Sequence, residues 1–127
     1  VGGSLTLLAA SLATPWELDT RGAILLFEEV NEAPYRIDRM LQQLRAAGKL
    51  ARVVGVGVGD VSSCVDERYG ARVEDVIEEV LRPLGVPLVQ GLPFGHVRTN
   101  VAWPLGVRAE LDGDRGELRI LEHGVSR

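Results

Sequence analysis

Glu28 and His96 are the residues whose types and positions could together move a proton. Glu28 follows a continuous apolar run, which predicts a rigid strand end, and His96 lies in a glycine- and proline-rich loop that could carry an imidazole to a cleft. Imidazole, with a pKa of roughly 6.5 in model peptides, can take a proton from a nucleophile and return it to a leaving amine. A carboxylate on the other ring nitrogen fixes the tautomer. Taken alone, residues of these types are more often a solvated strand-end acid, or one arm of an ion pair, and an ordinary surface histidine.

Two neighbouring acids, Glu29 and Glu32, compete with Glu28 for the carboxylate role. Side chains alternate between the faces of a strand, so Glu28 and Glu29 should point in opposite directions and only one can meet the imidazole.

The sequence offers no nucleophile in a catalytic setting. A catalytic serine of the Gly-x-Ser-x-Gly type needs a tight turn between a strand and a helix, and no serine here has that context. Cys64 could serve as a thiol nucleophile, but a loop or buried cysteine is the commoner role, and His123 is expected to be a surface residue. The serines excluded are Ser4, Ser11, Ser62, Ser63 and Ser126.

Helices and strands alternate along the first 90 or so residues, and a hairpin closes the chain, which favours a mixed sheet with helices packed on it. Helices are predicted from Leu5 with Ser4 as its N-cap and Pro15 after its end, from Pro34 to Gly48, and over 73–81. Strands are predicted over 23–27, 53–58 and 86–89, loops over 59–70 and 91–100, and the hairpin over 107–120. Glycines in 53–58 suggest that another backbone or a ligand approaches closely.

Composition narrows the possible functions. The 127 residues, 46% hydrophobic and 25% charged, predict one globular domain over 1–127 without a membrane span. A net charge of −4 without a basic stripe argues against a nucleic-acid partner. One cysteine and two histidines form no zinc pattern and favour a reducing, cytoplasmic setting. Because the sequence begins at Val1 without methionine or signal segment, we expect a part cut from a longer protein.

Three stretches, in order, resemble signatures of the LD-carboxypeptidase family. Residues 2–5 resemble its Gly-Gly-Asn-Leu motif, with Ser4 in place of the usual Asn. Residues 26–39 are similar to its strand-end acidic pair and its Pro-Tyr-Arg-Ile-Asp-Arg helix start, the most specific match. Residues 91–96 with Asn100 look like its histidine loop.

The resemblance implies the C-terminal domain of a cytoplasmic serine peptidase that removes the terminal D-alanine from murein tetrapeptides. It implies a three-layer β/β/α swivelling fold, a homodimer and no cofactor. In it, Glu28 and His96 match two members of a Ser-His-Glu triad, and the serine belongs to an N-terminal domain that is absent from this sequence.

Other functions and roles stay open. A microcin-C immunity peptidase of the same fold would need aromatic residues to stack on a nucleobase, and Trp16 and Trp103 are the main candidates. A non-catalytic interaction domain is the third possibility. Asn100 is expected to brace the histidine loop. The polar start of the second helix could bind a substrate carboxylate, although we favour a role in tying that helix to the sheet; its residues are Tyr35, Arg36, Asp38 and Arg39.

Overall fold

The computed structural model describes residues 1–68 and 70–125 and contains a four-stranded parallel sheet in the order β1-β2-β3-β4. Its strands are β1 (Gly2–Ser4), β2 (Ile24–Glu28), β3 (Gly55–Val58) and β4 (Leu88–Val89). The helices are α1 (Leu5–Ala10), α2 (Pro34–Ala46) and α3 (Val73–Leu81), and a single 3-10 turn (Arg82–Leu84) follows α3. Strands β5 (Ala109–Asp112) and β6 (Glu117–Ile120) form an antiparallel hairpin.

The three helices form one layer against the sheet. When strands follow each other across a parallel sheet, right-handed crossovers put every connecting helix on the same face. The apolar stripes of α2 and α3 are buried there against Val56 and Val58 of β3, and these residues form the main core. The buried residues of α2 that make the contact are Pro34, Ile37, Met40, Leu41 and Leu44.

The hairpin covers the opposite face of the sheet. Leu111 of β5 packs with Leu26, Val89, Leu92 and Phe94 in a second, smaller core. The order helices, parallel sheet, hairpin confirms the expected three-layer β/β/α arrangement. The expectation of one mixed sheet was wrong, because β5 and β6 pair with each other and stack on the sheet instead of extending its edge.

Glycines in β3 make this close stacking possible, and the groups that approach them most closely are leucine side chains instead of the backbone or ligand that the sequence suggested. A Cβ atom on Gly57 would lie 2.6 Å from Leu26 Cδ2 and 2.8 Å from Leu92 Cδ1, and one on Gly55 would lie 3.0 Å from Leu111 Cδ2. Side chains at 55 and 57 would therefore push the second core away from the sheet.

Helix α1 begins at Leu5 with Ser4 at its N-cap position, as predicted, but the strand before it and the hydrogen bond that caps it differ from the sequence-based prediction. Residues 2–4 form β1, which the sequence did not predict, and Ser4 makes no capping hydrogen bond with its side chain. Instead, the Thr6 N–H donates to Glu29 Oε2 at 2.7 Å, so a carboxylate from the end of the neighbouring strand caps the helix. Helix α1 ends at Ala10, well before Pro15.

None of the helices in the two described ranges has both the length and the apolar composition that crossing a membrane requires.

Ala13, just after α1, has a φ of 60° in the left-handed region. For a residue with a Cβ this conformation costs about 1–2 kcal/mol. Glycine avoids that cost, but it makes the unfolded chain more flexible, which by itself lowers the free energy of unfolding by about 0.4–1 kcal/mol. We therefore expect Ala13→Gly to raise the free energy of unfolding by roughly 0.5 kcal/mol, measured by urea denaturation. The same substitution at exposed, helical Ala10 should lower it by about 0.5–1 kcal/mol; two changes of the same sign would contradict this explanation.

Candidate active site

The candidate site lies where the carboxyl ends of the parallel strands meet. Glu28 is the last residue of β2 and stands opposite Ser4, the last residue of β1. Phe27 is in register with Val58, the last residue of β3, so the chain leaves β2 and β3 at the same level of the sheet. Side chains that follow these strands are thereby brought to one edge.

The histidine loop is attached to the end of β3 by its own backbone. The Leu92 N–H donates to Val58 O at 3.0 Å, and the Asp60 N–H donates to Phe94 O at 2.8 Å. A Cβ on Gly59 would lie 2.6 Å from that same Phe94 oxygen, so the close approach requires glycine at 59. The loop is therefore held across the strand ends immediately before it reaches His96.

Gly95 brings the main chain against Glu28. Its φ of 110° is one that residues with a side chain rarely adopt, and a Cβ there would lie 3.0 Å from Glu28 Cβ and 3.1 Å from Glu28 Oε2. Its N–H donates to Asn100 Oδ1 at 3.2 Å, and the Val101 N–H donates to Pro93 O at 2.8 Å. Asn100 thus braces the loop, as expected from the sequence.

Glu28 and His96 are in hydrogen-bond contact. Glu28 Oε2 lies 2.9 Å from His96 Nδ1, and the carboxylate side chain is 13% exposed while the imidazole is 61% exposed. When Nδ1–H donates to the carboxylate, Nε2 carries a lone pair and can accept a proton. Within the part of the chain that the structure describes, no hydrogen bond involves Nε2.

The two rival acids have other partners. Glu29 is buried and points to the other side of the strand, where it accepts hydrogen bonds from Thr6 N–H at 2.7 Å and Val30 N–H at 3.0 Å. Glu32 pairs with Arg36 at 3.2 Å. The predicted divergence of Glu28 and Glu29 is therefore observed.

The polar start of α2 contacts neither Glu28 nor His96 through any of its described hydrogen bonds. Arg36 Nε donates to Tyr35 Oη at 3.1 Å, and Gln42 donates to Asp38 at 3.1 Å, so these bonds run along the surface of the helix. These bonds do not tie α2 to the sheet, a contact that the apolar face of α2 makes; the structural role of the whole group stays a prediction.

The serines inside the described ranges are engaged away from His96. Ser4 Oγ donates to Glu29 Oε2 at 3.4 Å, Ser11 Oγ donates to Leu8 O at 2.9 Å, and Ser63 Oγ accepts from the Asn31 N–H at 3.0 Å. The backbone of Ser62 bonds Asp60, and Ser126 lies outside the described residues. No serine hydroxyl among residues 1–68 and 70–125 reaches the imidazole.

Cys64 is fully buried, and its Sγ–H donates to Glu29 O at 3.4 Å. Burial, the largest cause, raises the pKa of this thiol, because the thiolate would lose its hydration. The residue thus has the bland buried role that the sequence favoured.

We expect Cys64 to resist alkylation in the native protein, since both access and thiolate fraction are low. Iodoacetamide at pH 8 should modify it at least about 100 times more slowly than in the urea-unfolded protein, as measured by intact mass against time. Equal rates in the two states would show that the thiol is accessible and contradict its assigned burial.

A cleft of about 260 Å³ opens beside Glu28. Its floor is Leu26 with the backbone of Gly2 and Gly3, and Trp103, packed edge-to-face on Phe94, forms a wall. Sequence reasoning did not assign Gly2 to this place. Glycine is needed at position 2 for a steric reason, because a Cβ there would lie 2.0 Å from Leu26 O.

The second histidine, His123, is exposed, as expected.

No group of three or more His, Cys, Asp or Glu side chains capable of holding a metal ion occurs within the described ranges. The site brings together an imidazole held through Nδ1 by a carboxylate, and that carboxylate lines the cleft.

Comparison with known proteins relates the chain to peptidases. The family model described as LD-carboxypeptidase C-terminal domain matches residues 1–111. A putative carboxypeptidase of Synechocystis sp. is 45% identical over 124 residues, covering 95% of this chain and 41% of the relative. A probable murein peptide carboxypeptidase of Bacillus subtilis is 39% identical over 128 residues, covering 99% and 40%. The chain thus spans about two fifths of the length of these relatives.

Solved structures agree. The crystal structure of muramoyltetrapeptide carboxypeptidase from Oxalobacter formigenes matches with a TM-score of 0.77 at 39% identity, covering 85% of this chain and 38% of that one. The wild-type microcin C7 self-immunity protein MccF has a TM-score of 0.88 over 99% of this chain and 38% of its own, at 24% identity, which shows a shared fold.

Proposed function

Because this chain belongs to the LD-carboxypeptidase family as its C-terminal domain, we propose that Glu28 and His96 are the orienting carboxylate and the general base of a Ser-His-Glu triad. The whole protein would hydrolyse the amide bond to the terminal D-alanine of murein tetrapeptides. The nucleophilic serine and most of the oxyanion hole would come from an N-terminal domain. The proposal includes a cytoplasmic, homodimeric enzyme that uses no cofactor.

The observation that carries the proposal is the 2.9 Å contact between Glu28 Oε2 and His96 Nδ1. It supports the triad because it occupies the ring nitrogen that an orienting carboxylate should occupy and leaves the other available to a nucleophile. An ordinary surface ion pair does not require a carboxylate at the end of a buried strand or a loop whose close approach depends on glycines.

The proposed reaction uses this contact as follows. The serine Oγ attacks the carbonyl carbon of the scissile amide while His96 Nε2 accepts its proton, and Glu28 stabilises the imidazolium. His96 then gives the proton to the nitrogen of D-alanine, the C–N bond breaks and an acyl-enzyme remains. Water then attacks this ester and gives a proton to His96. The trimmed peptide leaves as His96 passes that proton to the serine oxygen.

Two alternatives are less well supported. A microcin-type peptidase acting on an aminoacyl-nucleotide would use an aromatic platform, and Trp103 lines the cleft beside Glu28. The murein interpretation is favoured over it because the probable murein peptide carboxypeptidase is 39% identical to this chain and MccF only 24%. Trp16 is 86% exposed and precedes Glu17 in the sequence. Glu17 pairs with Lys49, which follows the C-terminal end of α2, whereas Glu28 precedes the N-terminal end of that helix. Trp16 therefore lies at the opposite end of α2 from Glu28. A non-catalytic interaction domain would not need His96, so its function should survive His96→Ala.

Paired substitutions of the two adjacent acids in the full-length enzyme separate chemistry from stability. Glu28→Gln should lower kcat for D-alanine release by about 10²–10⁴-fold, because the amide no longer fixes the tautomer or stabilises the imidazolium. Glu29→Gln should instead destabilise the fold by about 1–2 kcal/mol through the weakened cap of α1 and keep kcat at temperatures where it is folded. Mass spectrometry of the tetrapeptide and thermal denaturation measure the two effects. Full activity of Glu28→Gln would sink the triad.

The chain of residues 1–127 by itself is expected to release no D-alanine, because the proposed nucleophile belongs to the N-terminal domain and no acyl-enzyme can form without it. Incubation with a murein tetrapeptide, followed by mass spectrometry, tests this, with the full-length enzyme as positive control. Release above the uncatalysed rate by the purified chain would overturn the proposed division of residues between domains.

A further inference from the structure

We propose that Asn100 is a positioning residue for His96: its Oδ1 holds the backbone at Gly95 so that the imidazole reaches Glu28. This inference rests on the proposed function for its kinetic test, but the underlying geometry can be measured without any activity.

The loop that carries His96 is closed by two hydrogen bonds. One joins the Val101 N–H to Pro93 O at 2.8 Å and is purely backbone. The other joins the Gly95 N–H to Asn100 Oδ1 at 3.2 Å, and it acts on the residue immediately before the histidine. A change at position 100 therefore alters the second closure and leaves the first intact.

Gly95 is the point at which a small movement would do the most damage. Its φ of 110° is open to glycine and to few other residues, and its Cα packs so closely on Glu28 that a Cβ would lie 3.0 Å from the Glu28 Cβ. Glycine has no side chain to restrict its backbone, so an external contact must select this conformation. The Asn100 amide oxygen supplies that contact.

The imidazole has little else to hold it. It is 61% exposed, and in the described part of the chain its hydrogen-bond partner is Glu28. The residues after it, 97–100, belong to no helix or strand. The direction of the ring therefore depends on the backbone at 95–96, and an angular error there moves Nε2 away from a nucleophile that approaches from outside the chain.

The role needs only an acceptor oxygen at the end of a short side chain. Aspartate retains such an oxygen at the same distance from the backbone, whereas leucine has nearly the same shape and no acceptor. Asn100→Leu and Asn100→Asp are therefore a matched pair that differ in the hydrogen bond. Thr99→Ala, one residue away in the same loop, is the control for a general effect of substitution there.

In the full-length enzyme we expect Asn100→Leu to lower kcat for D-alanine release by about 10- to 100-fold with KM changed less than about 3-fold. Asn100→Asp should recover most of the loss, and Thr99→Ala should behave like the wild type. A rise in KM with kcat unchanged, or an equal loss in both variants at position 100, would indicate direct substrate contact or a need for the amide N–H, and would overturn the positioning role.

The second measurement does not depend on turnover. Full-length protein labelled with ¹⁵N-histidine should show a downfield Nδ1–H proton from the bond to Glu28, identified by its loss in Glu28→Gln. The signal should be lost or broadened in Asn100→Leu and restored in Asn100→Asp. An unchanged signal in the leucine variant refutes the inference even if the enzyme is active. If the wild type hydrolyses no tetrapeptide yet the signal behaves as expected, the proposed function fails and the positioning role stands.

Discussion

The structure depends on the attachment of the histidine loop to the end of β3. Glu28 and His96 are 68 positions apart in the sequence, so the fold must hold the two segments that carry them in fixed relative positions. The parallel register places the ends of β2 and β3 side by side. Backbone hydrogen bonds between Leu92 and Val58 and between Asp60 and Phe94 then attach the histidine loop to the end of β3. A loop free of β3 would have to pay the entropy of ordering at every encounter with Glu28.

The residues of β3 alternate between two faces of the sheet that are packed differently. Val56 and Val58 point into the helix layer and are fully buried, while Gly55 and Gly57 face the hairpin and give room to Leu111, Leu26 and Leu92. Glycine in a strand costs roughly 0.5–1 kcal/mol relative to alanine. The burial that this allows, of several large side chains in the second core, contributes more than that, at about 1.5–3 kcal/mol for each fully buried side chain. The acids at the end of β2 and immediately after it, Glu28 and Glu29, show the same alternation: Glu28 faces the histidine loop and Glu29 caps α1.

Much of this could be predicted from patterns that act locally. The apolar stripes of α2 and α3, the buried run of β2, the hairpin and the opposite directions of the two acids follow from periodicity alone, and all are observed. The failures involve contacts between distant segments. Strand β1 has three residues, two of them glycine, and exists because β2 pairs with it. The cap of α1 comes from Glu29, 23 residues after the Thr6 amide it binds, and nothing in Ser4 reveals that. The place of Trp103 beside the cleft also depends on a long irregular segment that carries no periodic signal.

The two partners of the Glu28–His96 contact differ in their exposure to water. Glu28, 13% exposed, is fixed by the strand and by Gly95, whereas His96, at 61%, remains largely hydrated. Charge interactions in so wet a setting contribute little, because water screens them. Another protein surface that covers the imidazole would remove that water and strengthen the Glu28–His96 bond at the same time as it offers a nucleophile to Nε2. Under the proposed function, docking of the domain that supplies the serine would therefore strengthen the Glu28–His96 bond in the same step that brings the nucleophile to Nε2.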